Sequence, residues 1–230
     1  MLKVSTPAGI EGGRYVFNNS SKLSAKTQEA ISSDSEASLS FFDNSSFQAT
    51  AHGLETDGFG VIAGGQMTFH DNTLLKAGVT NSISGGEQNF FDNAILTASG
   101  ASAITGGTQT FSRTDSNSSD LTRLVVNQSG SISGGTQVFN GFSSLQANNQ
   151  NGGSVTGGTQ EFHDQSSLRA SYTNAITGGE QSFTDSAHLD ANAYHAVGGV
   201  EITLKSESAI NLGATDALSP TTEIYFSGAD

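Results

Sequence analysis

This sequence predicts an all-β fold, a parallel β-helix of about ten coils of roughly 21 residues each, and three observations carry that prediction. The first is repetition. The phrase VTGGTQEF from Val155 to Phe162 returns as ITGGEQSF, so that Val155 recurs as Ile176, Gly157-Gly158 as Gly178-Gly179, Gln160 as Gln181 and Phe162 as Phe183, each 21 residues on. A fixed period of this size marks a solenoid whose units stack on one another. The second is alternation. Gln109 and Phe111, or Leu168 and Ala170, stand two apart within their segments, which is the period of a strand. The third is composition: paired glycines with β-branched and Ser/Thr-rich stretches oppose helix.

The rungs are marked by an inward aromatic, or its substitute: Phe17, Phe41, Phe69, Phe90, Phe111, Phe139, Phe162, Phe183, Leu204 and Phe226. Six residues on usually comes a second apolar residue (Leu23, Phe47, Leu75, Leu96, Leu145, Leu168, Leu189, Ile210), with Leu124 displaced by an insertion, and two further on a small one such as Ala77 or Ala170. Seven residues before the aromatic stands Ile10, Ile62, Ile83, Ile104, Ile132, Val155, Ile176 or Val197. Three short strands per coil follow from these three segments. At strand spacing the stack makes a rod of roughly 45–50 Å.

The glycine pairs, among them Gly85-Gly86, Gly106-Gly107, Gly157-Gly158 and Gly178-Gly179, follow the Ile segment by one residue. They are expected to make the tight turn there, through positive φ. A phosphate cradle would need a helix N-terminus after the glycines, and none is predicted. The second rung has no pair and reads Ser32-Ser33-Asp34, so it is an irregular coil. Insertions near residues 50–60, 112–118 and 148–153 are expected to leave the stack as loops. Residues 214–230 read as an irregular last coil, and the whole chain, 1–230, as one elongated domain.

Charge and composition restrict the function. Nine Lys and Arg against 22 Asp and Glu give a net charge of −13. That balance disfavours nucleic acid and anionic membranes, which are bound by clustered cations. With no cysteine there is neither a disulfide framework nor a thiolate metal site. No apolar run is long enough to span a bilayer, so no membrane insertion by this segment is expected, and the start of the chain lacks a signal-peptide core.

Four columns could carry chemistry. Asp43, Asp71, Asp92, Asp164 and Asp185 follow the Phe by two and could share Ca²⁺. The reading adopted is an Asx turn, because the column is interrupted after Phe111 and Phe139 and no calcium nonapeptide is present. Gln88, Gln109, Gln137, Gln160 and Gln181 stand two before the Phe and predict a stacked amide ladder, while Gln66 is displaced by one and predicts a bulge. Of the five histidines, His52, His70, His163, His188 and His195, two precede Asp71 and Asp164, but neighbours in a strand point to opposite faces. Ser84, Thr105, Ser133, Thr156 and Thr177 form an outward hydroxyl column of mixed composition. No catalytic residue, cofactor or metal ligand is assigned. A polysaccharide-binding or -cleaving β-helix enzyme and an ice-binding solenoid are the alternatives to an adhesive rod.

At ISGGTQVF (Ile132 to Phe139), VTGGTQEF (Val155 to Phe162) and AITGGTQTF (Ala103 to Phe111) the chain resembles the repeat region of autotransporter passengers of Gram-negative bacteria, above all self-associating adhesins. The resemblance covers about residues 10 to 212. It implies a right-handed β-helix on the cell surface or outside the cell, promoting attachment or aggregation, with export and anchoring supplied by a larger parent protein. Its partner would be itself or a host-surface protein or glycan. The phrase Phe69 to Asn72 is also similar to chlamydial-type polymorphic membrane proteins.

Overall fold

The computed structural model describes residues 1–6, 9–25, 30–31, 35–49, 61–115 and 122–227. Among them, twenty strands form two parallel ten-stranded sheets. Sheet A holds β1 (Leu2–Val4), β3 (Lys22–Ala25), β5 (Ser46–Ala49), β7 (Leu74–Ala77), β9 (Ile95–Ala98), β11 (Arg123–Val126), β13 (Ser144–Ala147), β15 (Ser167–Ala170), β17 (His188–Ala191) and β19 (Ala209–Leu212). Sheet B holds β2 (Arg14–Phe17), β4 (Ser38–Phe41), β6 (Gln66–Phe69), β8 (Glu87–Phe91), β10 (Thr108–Arg113), β12 (Thr136–Gly141), β14 (Val155–Phe162), β16 (Ile176–Phe183), β18 (Glu201–Lys205) and β20 (Glu223–Ser227). Each strand pairs only with members of its own sheet, one coil before and one coil after, so the chain winds as a parallel β-solenoid. There are about nine turns, one fewer than the number of marker residues, because ten stacked strands enclose nine intervals.

The third segment of each coil is not a full strand in most coils. Ile10, Ile31, Ile62, Ile83, Ile104, Ile132 and Val155 are joined by single-residue bridges, as are Ile176, Val197 and Leu218. Only β14 and β16 extend back far enough to include this position, Val155 pairing with Ile176. The glycine turn begins one residue later and stops the ladder from lengthening. Ile31 fills this column in the irregular second coil, three residues earlier than the period requires, and Leu218 fills it in the last.

The core follows from register. In sheet B the rings of Phe17, Phe41, Phe69, Phe90, Phe111, Phe139, Phe162 and Phe183 stack with centroids 4.6–4.8 Å apart and planes within 6–8° of parallel. That separation is the spacing of neighbouring strands, so the backbone ladder and the ring column share one repeat. Leu23, Phe47, Leu75, Leu96, Leu124, Leu145, Leu168 and Leu189 face them from sheet A, buried. Leu204 continues the Phe column, still buried, but Phe226 is 80 % exposed. Phe226 does occupy the column, paired with Leu204, yet no described strand covers its other side, so its expected burial is corrected.

Left-handed corners turn the regular coils at three places among the described residues. After sheet B the corner residue is Asn19, Asp43, Asp71, Asp92, Gly141, Asp164, Asp185 or Ser206. After sheet A it is Asn81, Ser102, Gly130, Gly153, Asn174, His195 or Asp216, and after the Ile bridge it is the second glycine of the pair. Asn, Asp and Gly tolerate this backbone region best. The first glycine of the pair has a different reason. A Cβ at Gly85 would stand 2.1 Å from the carbonyl oxygen of Ala63, and at Gly106 2.3 Å from that of Ser84. Gly157 and Gly178 repeat the approach at 2.6 Å and 2.3 Å. Gly86, Gly107, Gly158 and Gly179 combine positive φ with an approach of 2.5–2.8 Å to a carbonyl oxygen of the coil before, while for their partners close passage alone is the reason.

Candidate functional site

The inward glutamines form the expected ladder. Gln109 Nε2 donates to Gln88 Oε1 at 2.8 Å, Gln137 to Gln109 at 2.9 Å, Gln160 to Gln137 at 2.8 Å and Gln181 to Gln160 at 2.8 Å. Each also donates to the carbonyl of the first glycine of its own pair, at 3.0 Å for Gln88 and 3.5 Å for Gln181. The amides thus hold the glycine turn to the core. Gln181 Oε1, at the end of the ladder, is buried without a partner. Gln66 makes no bulge: β6 runs in unbroken register with β4 and β8, Met67 takes the inward place, and Gln66 lies outside, donating to Glu87 Oε2 at 3.1 Å.

The Asp column bonds between coils, which corrects the expectation of a local Asx bond. Asp43 Oδ2 accepts from Asn19 N–H at 2.9 Å, Asp71 Oδ2 from Asp43 at 3.4 Å, Asp164 Oδ2 from Gly141 at 3.0 Å and Asp185 Oδ2 from Asp164 at 3.5 Å. Each carboxylate secures the corner of the coil before it. The left-handed backbone makes the turn, and the side chain ties neighbouring turns together. Among the described residues no group of three or more His, Asp and Glu is arranged to hold a metal ion.

The histidines do not pair with the Asp that follows them. His70 lies 3.6 Å from Asp92 of the next coil, and His163 Nε2 lies 3.8 Å from Glu161 while its Nδ1 is 2.8 Å from Thr184 Oγ1. His70 is also sandwiched outside sheet B between the rings of Phe42 and Phe91, at 5.0 Å from each. This short outer stack was not anticipated, though the residue after each marker Phe would have revealed it. His188 lies 3.7 Å from Asp190, and His195 is a corner residue stacked on Tyr194. His52 lies outside the described residues, as do the insertion at 50–60 and part of that at 112–118.

Beside the second insertion, Arg113 replaces the corner Asp. Its buried guanidinium donates to Asn93 Oδ1, to the Asp92 carbonyl at 3.2 Å and to the Asp115 carbonyl at 2.7 Å, tying the end of β10 to the coil before it. The insertion at 148–153 folds into a compact turn in which buried Asn149 accepts from Asn151 N–H at 3.2 Å and donates to the Gly152 carbonyl. In the hydroxyl column, Thr105 and Thr156 donate to the Ile83 and Ile132 carbonyls of the coil before, at 3.5 and 3.2 Å.

What remains for function is the outer wall, and its two sheets differ. The outer face of sheet B carries Glu87, Glu161, Glu180, Glu201 and Glu223, with Arg14 and Lys205. Glu180, Glu201 and Glu223 are in-register neighbours on successive strands. The Tyr225 hydroxyl donates to Glu223 at 2.8 Å, and that bond, with the charges of Glu223 and Glu201, holds its pKa above the usual tyrosine value. The outer face of sheet A carries Lys3, Lys22, Lys76, Arg123 and Arg169, and Asp190 is its acid among the described residues. No family model, no curated protein and no solved structure matches the chain. The solenoid is therefore established by its own register.

Proposed function

We propose that this chain is an adhesive rod, displayed at a cell surface or outside the cell, that attaches through its repeating outer wall to another surface or to an identical rod. The observation that carries this reading is the pair of parallel sheets, in which each outward position recurs at strand spacing through about nine turns. A partner that makes one hydrogen bond with such a wall can make the same bond on the next coil. Each is worth only about 0.5–1.5 kcal/mol, but several in register reach micromolar affinity after the cost of association. The resemblance of the GGTQ phrases to autotransporter passengers supports the same reading and a Gram-negative source of display. Among the described residues the histidines give an enzyme little support, because the carboxylates beside His70, His163 and His188 stand 3.6–3.8 Å away, beyond the hydrogen-bond reach of a base and its orienter. The hydroxyl column gives ice binding little support either, since Thr105 and Thr156 are engaged by the backbone.

The test is to display the chain on non-adherent cells and measure settling and attachment to coated surfaces. Attachment to a coated surface, or clumping of identical rods that increases when salt screens the net charge of −13, is the expected result. Neither clumping nor attachment would overturn the proposal, and cleavage of a polysaccharide beside that result would favour the enzyme.

A further inference from the structure

The cations of sheet A are not scattered over a protein that is otherwise acidic. Lys22 is on β3, Lys76 on β7, Arg123 on β11 and Arg169 on β15, one on every second strand, with Lys3 beyond them on β1. Two strand spacings place successive charges about 9.6 Å apart along the rod, and they alternate between two neighbouring outward columns, Lys22 and Arg123 in one and Lys76 and Arg169 in the other. From β1 to β15 no acidic side chain stands on this outer face among the described residues. Lys22, Lys76 and Arg123 make no ion pair among the described residues, and Arg169 Nη2 is 4.0 Å from Asp190 Oδ2, on the next strand. The Asp corners flank the strip, but four of those five carboxylates already accept backbone N–H bonds along the corner.

From this spacing we infer that the outer face of sheet A binds a linear acidic polysaccharide carrying a carboxylate on every second sugar. One sugar of an extended glycan is close to one strand spacing in length, so alternate carboxylates fall level with alternate strands. Ser46, Thr97, Ser167 and Gln146 on the same face offer hydrogen bonds to the sugar hydroxyls between the charges, and half-buried Leu74 and Ile95 offer apolar surface to the ring faces. A second copy of the rod fits less well. Its sheet B glutamates lie on β8, β14, β16, β18 and β20, and in no axial register do they come level with all four alternate cations. Nucleic acid fits poorly as well, because its charges are far denser than the strip, at about one per 1.7 Å of duplex axis. This inference rests on the adhesive reading and names one partner for it.

The experiment measures binding of the purified chain to hyaluronan oligosaccharides, with a carboxylate on every second sugar, beside oligogalacturonate, double-stranded DNA and phosphatidylserine vesicles. Hyaluronan is expected to bind best, and more weakly as salt rises. Lys22→Gln, Lys76→Gln, Arg123→Gln and Arg169→Gln combined should weaken it at least about tenfold, while Arg14→Gln with Lys205→Gln on sheet B should not. Should the fourfold variant fail to fold, the single variants Lys22→Gln and Lys76→Gln each lower affinity severalfold. The pair Lys76→Thr and Thr97→Lys keeps the net charge but breaks the alternation, and should also weaken binding. No binding, equal binding by the charge-removed variants, no effect of moving the charge, or tighter binding to DNA or vesicles would each overturn the inference. Cells that clump while the purified chain ignores the glycan would sink this inference and leave the adhesive reading standing. Binding without clumping or attachment would sink the adhesive reading alone.

Discussion

The middle coils and the two ends solve the same packing problem with different chemistry. From Gln88 to Gln181 one inward column of sheet B is polar, and it is buried because each amide has the next amide as its partner. Toward the start the same column reads Tyr15, Leu39 and Met67, and toward the end Ile202 and Ile224. The Phe column changes in parallel, fully buried from Phe41 to Phe183, then Leu204, then the exposed Phe226. A buried polar column is tolerated where identical neighbours satisfy it on both sides, and it is replaced by apolar residues where that succession stops. The repeat is therefore a device for burying polar groups as well as for copying a fold.

The largest expected effect tests whether a column position matters by its neighbours or by its identity. Phe162→Ala removes a ring stacked on Phe139 and Phe183 and should cost about 3–5 kcal/mol of unfolding free energy, whereas Phe226→Ala should stay within about 0.5 kcal/mol. Denaturant unfolding of both variants makes the comparison. Equal losses would mean that Phe226 is covered in solution.

Next come the glycines. Gly106→Ala sets a Cβ against the Ser84 carbonyl, and the backbone must shift, at a cost of about 1–3 kcal/mol. Gly12, at the first coil, has nothing within 4 Å of the same atom, so Gly12→Ala should be near neutral. A similar midpoint for the two variants would show that the coil before gives way to the new Cβ and does not require the first glycine. Within the ladder, Gln137→Leu takes the donor from Gln109 Oε1 and the acceptor from Gln160 Nε2, and should cost about 1–3 kcal/mol despite the added apolar volume.

These contrasts also show what the sequence could reveal. The Phe column, the Gln ladder and the strand period were legible because a 21-residue repeat puts like residues at like places. The irregular second coil hid Ile31, since its column position is kept in space and not in number. Gln66 misled by its residue type: the count from Gly64-Gly65 and the count from Phe69 both give Met67 the inward place, and Gln66 falls level with Glu87 on the outer face. Approach between coils, which requires the first glycine, has no signature in one coil alone. The alternate cations were hidden by the insertions: Lys22, Lys76, Arg123 and Arg169 are unevenly spaced along the chain, and even only when counted by strands of sheet A.

The smallest expected effect lies at the junction between the two chemistries. Gln181 Oε1 is buried and unpartnered because the next inward residue is Ile202, which pairs with it in register and has no donor. Ile202→Gln would place an amide where each earlier rung has one, with its Nε2 able to donate to Gln181 and its own oxygen toward Ile224. A new hydrogen bond to a buried acceptor contributes about 0.5–1.5 kcal/mol, and loss of the isoleucine side chain from the core costs a comparable amount. The net change should therefore lie within about 1 kcal/mol of zero, far from the cost of setting a lone amide in an apolar core. Leu39→Gln is the control, because Leu39 is equally buried and its amide would meet Tyr15 and Met67 and find no ladder to join. Thermal unfolding should leave the Ile202→Gln midpoint near that of the parent and place Leu39→Gln below it. If Ile202→Gln is the more damaging of the two, neighbouring amides are not what makes the polar column tolerable.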